Sequence, residues 1–147
     1  MRLSLPLLLL LGACQTTAPT TETTTSAAPA TPPAELRGTR WLLHALDKQP
    51  TTPTAGKEVY LQLNTTELQA EGQAGCNRFR GNIELPATGQ LRFGPLMATK
   101  MACPDLTIET GFMSALNAAR TYRISRDTLR LYGEPAGLPL AELHKGQ

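Results

Sequence analysis

From residue 39 to residue 143, apolar and polar side chains alternate with period two in short blocks, and turn-forming residues close nearly every block. Successive side chains of a strand point to opposite faces, so this pattern restricts the chain to many short strands, each burying one face. The predicted strands are residues 39–46, 58–64, 67–73, 80–85, 91–93, 121–125, 128–132 and 138–143. In the first, Trp41 and Leu43 share a face; in the second, Val59, Leu61 and Leu63 oppose Tyr60 and Gln62. Gly89-Gln90, Arg126-Asp127 and residues 133–137 supply turns between several blocks. Asn64-Thr65-Thr66 matches a glycosylation sequon, but its place between two strand-like blocks predicts a hairpin turn.

One stretch departs from this pattern. Ile108, Phe112, Ala115, Leu116 and Ala119 recur at the spacing that lines one face of a helix, with Pro104 and Asp105 suited to its first turn or cap. Many short strands and a single helix predict a mainly β (α+β) domain: a curved antiparallel sheet or partly open β-barrel closed by one helix.

The domain is expected to occupy residues 36–147, a common size for one hydrophobic core. Ahead of it, residues 3–11 form a leucine-rich run too short to span a bilayer, which reads as a signal peptide over residues 1–13. Leu11, Gly12, Ala13 and Cys14 resemble the lipobox of bacterial lipoproteins, which implies cleavage before Cys14 and acylation of its thiol. Several acyl chains hold a protein stably on a membrane where one does so only marginally. Gln15 is not the aspartate that resembles an inner-membrane retention signal, so the expected location is the inner leaflet of an outer membrane, with the domain in the periplasm. Residues 14–35 are nearly all Thr, Ala and Pro, with too little apolar surface to offset the entropy of ordering. They read as a flexible tether. Of fourteen Lys and Arg, cleavage removes Arg2, leaving thirteen against twelve Asp and Glu. A charge this close to zero gives no reason to expect nucleic acid as a partner.

Two segments are more specific: Gly75-Cys76-Asn77-Arg78-Phe79-Arg80-Gly81 and Thr99-Lys100-Met101-Ala102-Cys103. Together with the opening around Trp41, the helix containing Glu109 and Phe112, and the closing Leu129-Arg130-Leu131, their order and spacing resemble the META domain of HslJ-like heat-shock lipoproteins. The resemblance covers essentially all of residues 36–147. It implies a mostly β domain with one helix, likened to the cracked barrel of a secretin pilot lipoprotein, and no established activity attached to particular residues. From the residues themselves, Gly75 and Gly81 bracket a tight turn where glycine tolerates positive φ. Asn77 reads as a buried polar brace for that loop and Phe79 as a core anchor. Arg78 and Arg80, two apart, share a solvated face.

Cys76 and Cys103 are the thiols that remain once Cys14 is acylated. In an oxidising compartment they are expected to pair, the alternative being two reduced cysteines packed as small apolar groups. No further His or Cys stands at ligand spacing, so no metal site and no cofactor is expected. Catalytic groups are sparse. Alternation sets His44 opposite Trp41 and Leu43, His144 falls in a polar tail beside Lys145, and Glu109 reads as a surface or helix-terminal charge. Arg120, Arg123, Arg126 and Arg130 read as charges that keep edge strands from pairing, with an acidic docking partner or lipid headgroup as the alternative.

The expectation is a non-enzymatic, lipid-anchored envelope protein that binds a partner protein during assembly or stress, heat and antibiotic stress being what the resemblance implies. The alternatives are a carrier or sensor of a small hydrophobic ligand held in the barrel and, last, an enzyme.

Overall fold

The computed structural model describes residues 34–52 and 57–147. The expected signal peptide, the lipidation site Cys14 and almost all of the 14–35 tether lie outside these residues. Among the described residues, no helix is long and apolar enough to cross a membrane.

Nine strands form one antiparallel sheet: β1 (Arg40–Leu46), β2 (Gln49–Pro50), β3 (Tyr60–Leu63), β4 (Gln69–Gln73), β5 (Arg78–Glu84), β6 (Arg92–Ala98), β7 (Thr121–Ser125), β8 (Thr128–Tyr132) and β9 (Ala141–Lys145). Among the described residues there is one helix, α1 (Thr107–Ala118), between β6 and β7 in sequence. The spatial order is β6-β5-β4-β3-β1-β9-β8-β7, with β2 hairpinned onto β1. The sheet curls into an open half-barrel closed by the helix, which packs against β6, β1 and β8. At one end the two outer strands nearly meet, through a bridge between Gln90 and Thr121 and bonds from Leu91 N to Arg120 O and Tyr122 N to Gly89 O.

Alternation decides which faces are buried. Trp41, Leu61, Leu63, Phe79, Leu129, Leu131 and Leu143 point inward and meet Phe112, Ala115 and Leu116 of α1. Burying a side chain of this size stabilises the fold by about 1.5–3 kcal/mol. Trp41 is wholly buried, and its indole N–H donates to Leu36 O at 3.0 Å. Phe79 meets Phe112 edge to face, with ring centroids 6.0 Å apart.

Several sequence expectations need correction. Strand β6 does not stop at Phe93 but runs through Gly94 and Pro95 to Ala98. A bulge absorbs the proline: Gly81 pairs with Leu96 and Ile83 with Phe93, and β6 ends the strand order, where proline's missing N–H is tolerated. Strand β5 begins at Arg78, so the tight turn of the motif loop is confined to residues 74–77, closed by Ala74 N to Asn77 O at 2.8 Å. Gly81 therefore serves no turn. It lies within β5, where a Cβ would come within 2.7 Å of Pro95 O. The last strand is shifted from 138–143 to Ala141–Lys145, which places His144 in the sheet and not in a tail.

The Asn64 turn does link β3 to β4 as a hairpin. The Asn64 carboxamide oxygen accepts from Thr66 N, Thr66 Oγ1 and Glu67 N at 2.9–3.0 Å.

Candidate functional site

The motif residues converge where β4, β5 and α1 meet. Cys76 and Cys103 are joined in a disulfide that ties the loop before β5 to the segment leading into α1. Beside it lies Asn77, the one buried polar residue among those described. Its amide nitrogen Nδ2 donates to Glu109 Oε1 at 2.8 Å, and its main-chain N–H donates to Glu109 Oε2 at 2.8 Å. Cys76 N also donates to Glu109 Oε2, at 3.1 Å. On the other side, Asn77 Oδ1 accepts from Thr99 Oγ1 at 2.9 Å and from Met101 N at 2.8 Å. Thr99 in turn accepts from Arg78 N at 3.2 Å.

Of the two readings of Glu109, a surface or a helix-terminal charge, the network sets aside the first: its carboxylate closes the loop by taking three N–H groups. The carboxylate also stands in the first turn of α1, where the helix dipole favours negative charge. Gln73 was not anticipated either: its Nε2 donates to Gly75 O and Cys76 O at 2.8 Å each, fixing the loop carbonyls. A polar side chain just before Gly75-Cys76 was the available signal. At the start of α1, Asp105 lies before the first turn and accepts Thr107 N at 2.8 Å. Hydrogen bonds from the Thr107 main chain and side chain hold the Asp105 carboxyl below its ordinary range, against a small opposing effect of burial.

The brace fixes the outward side of β5 and β6. Arg78 and Arg80 are exposed there and form no ion pair among the described residues. Arg40 stacks over the Tyr60 ring at 3.7 Å and pairs with Glu58 at 3.1 Å. Met97 is 63% exposed and Met101 55% exposed. Two adjoining depressions on this side, of about 540 and 560 Å³, share Tyr60, Arg78 and Thr99. Lys57, Arg40, Arg78 and Arg80 outnumber Glu58 and Glu71 around them, so the face is net basic.

The arginines late in the chain have separate partners, although Arg123 and Arg130 stand opposite each other on β7 and β8. Arg120 donates to Asn117 O and Ala119 O at the end of α1, Arg123 lies 5.8 Å from the Tyr132 ring, Arg126 turns the β7–β8 hairpin, and Arg130 pairs with Glu142 at 2.7 Å. The two histidines, a hundred positions apart, come together on β1 and β9. Their rings stack with centroids 4.2 Å apart, and His144 Nε2 lies 3.2 Å from Glu142 Oε1. Burial pushes the Glu142 carboxyl up, but hydrogen bonds and charge from Arg130 and His144 outweigh it and hold the group below the ordinary glutamate range.

The inward-facing side chains form one contiguous core. A depression of about 50 Å³ sits against the disulfide among Val59, Cys76, Cys103, Pro104 and Ile108. No nucleophile, base and oxyanion donors converge there.

Among the described residues, a half-barrel of nine short strands, closed by one helix and stapled beside a buried asparagine–carboxylate brace, defines a small, mainly β domain. A family model for the META domain matches residues 34–143, and the chain belongs to that family. The META family is not known for an enzymatic activity. The chain is similar to an NMR structure of a protein from Burkholderia xenovorans, at 25% identity over 84% of this chain and 97% of that one, with a TM-score of 0.62. A second NMR structure, at 19% identity over 75% and 89% of the two chains and a TM-score of 0.56, shares the fold. No curated protein matches the chain.

Proposed function

We propose that this protein is a lipid-anchored envelope lipoprotein, held by acyl chains on Cys14, whose META domain binds a partner protein during envelope assembly or stress. The observation that carries the reading is the net basic outer side of β3–β6, where exposed Met97 and Met101 flank Arg78, Arg80 and the Arg40–Tyr60 stack. Methionine, arginine and tyrosine are the residue types enriched at protein interfaces, and the soft methionine side chain adapts to varied surfaces. The partner is a protein presenting acidic side chains to this face. Carriage of a hydrophobic ligand needs an apolar cavity of several hundred Å³. Among the described residues the inward faces are filled by side chains instead.

Site-directed photo-crosslinking in the intact envelope tests the proposal. A crosslinker at Met97 is expected to give one discrete adduct, while one at Asn117, exposed on α1, gives none. Equal crosslinking from both positions, or from neither, contradicts it.

A further inference from the structure

Away from the basic face, β1 and β9 bring together the two histidines of the domain and a glutamate. The ligand-capable atoms of His44, Glu142 and His144 all lie within 4.8 Å of one another. We propose that these three side chains bind a borderline divalent transition ion, with Zn²⁺ as the reference ion, tying the first strand of the domain to the last.

The local backbone is arranged to make this possible. Leu43 pairs with Leu143 and Ala45 with Glu142, so His44 is the extra residue of a bulge, and a bulge re-aims the side chain it carries. Thr51 holds that residue in place, donating to His44 O from its main-chain N at 2.9 Å and from Oγ1 at 3.2 Å. Glu142 and His144, two apart on β9, project from the same face.

Donor chemistry selects the ion. Two imidazoles and one carboxylate suit Zn²⁺, Cu²⁺ or Ni²⁺, whereas Mg²⁺ and Ca²⁺ call for oxygen ligands throughout. The 3.2 Å between His144 Nε2 and Glu142 Oε1 is close to the ligand–ligand edge of a tetrahedron with bonds of about 2.0–2.2 Å. His44 is exposed, and its ligand atom lies within 4.8 Å of the other two; closing on a shared ion turns its ring out of the stack with His144. Arg130 engages Oε2 of Glu142 at 2.7 Å, which orients the carboxylate and leaves Oε1 toward the histidines. The guanidinium charge opposes the incoming cation, so the site is an exchangeable one. Three protein ligands at the surface leave the fourth position to water.

The test is a calorimetric titration of the full chain, produced without a polyhistidine tag, with Zn²⁺ alone. Saturable binding of one ion per chain is expected, competed by Cu²⁺ and not by Mg²⁺. His44→Gln and His144→Gln should each weaken it by about tenfold or more. Both variants keep every other donor in the chain, so equal affinity in wild type and variants overturns the proposal. A second readout does not depend on the variants. In the wild type, substoichiometric Zn²⁺ should shift the imidazole ¹⁵N resonances of both histidines, and unmoved resonances contradict the site.

Discussion

Glu109 reaches from the first turn of α1 to accept both the main-chain and the side-chain N–H of Asn77, each at 2.8 Å. The helix and the loop before β5 are thus locked to each other through one carboxylate and one buried amide. Replacing Asn77 by Ala removes the partner of Glu109 Oε1, of the Thr99 hydroxyl and of Met101 N, while the main-chain N–H groups of residues 76 and 77 still reach Glu109 Oε2. Polar groups that lose a partner at a part-buried site cost more than the bonds themselves contribute. Asn77→Ala should destabilise the domain by about 3 kcal/mol, read as a lower urea midpoint with unchanged slope. Asn77→Asp sets a second carboxylate against Glu109. Its destabilisation should therefore ease as pH falls and either carboxylate takes a proton, a trend the alanine variant should lack.

The Cys76–Cys103 disulfide closes a loop with a sequence separation of 27. In the chain-entropy treatment a bridge of that span stabilises by about 3.6 kcal/mol. Urea unfolding with and without reductant should differ by an amount of that order. Coincident curves would show that the bridge constrains nothing.

Gly72 lies under the Phe79 ring and against the carbonyl of Tyr60. A Cβ there would overlap that carbonyl oxygen and come within 2.7 Å of Phe79 Cζ. Gly72→Ala should cost about 1–3 kcal/mol through overpacking, visible as a drop in Tm. A Tm at or above wild type would contradict the close packing.

Glu142 titrates below the ordinary glutamate range because Arg130 and His144 outweigh the effect of its burial. A depressed carboxyl contributes stability that is present above its unfolded value, about 4.3, and lost as pH falls through the lower folded value. The pair is partly exposed, so the contribution is below about 1 kcal/mol. Glu142→Gln should be less stable than wild type at neutral pH, with the difference vanishing in acid, measured by urea unfolding across that range.

Much of the fold was legible because its signals were local. Strands 121–125 and 128–132 coincide with β7 and β8, since alternation there is clean and Arg126-Asp127 marks the turn. The helix face around Phe112 and Leu116 was legible for the same reason. The β1–β2 hairpin was not: Asp47 and Lys48 both take positive φ, 46° and 66°, at positions where Asn or Gly would have announced the turn. Pro95 concealed the length of β6, because the bulge that Gly94 and Pro95 form opposite Asn82 breaks the period-two alternation there. Within the site, the motif spacing pointed to residues 75–81 and 99–103. The partnership of Glu109 with Asn77 was hidden by a sequence separation of 32. The meeting of His44 with His144 required the sheet order, which sets the first strand beside the last.

The proposed membrane anchor is acylation of Cys14. Cys14→Ser should move the protein from the membrane pellet to the soluble envelope fraction, and retention in the pellet would contradict acylation as the anchor.

The central claim is recognition of an acidic protein surface by the basic, methionine-flanked face. Its most direct test places the photo-crosslinker at Met97 and reverses charge at Arg78 and Arg80, which project outward and bear none of the core. The account predicts that Arg78→Glu with Arg80→Glu abolishes the adduct while the domain stays folded and membrane-bound. An undiminished adduct would contradict it.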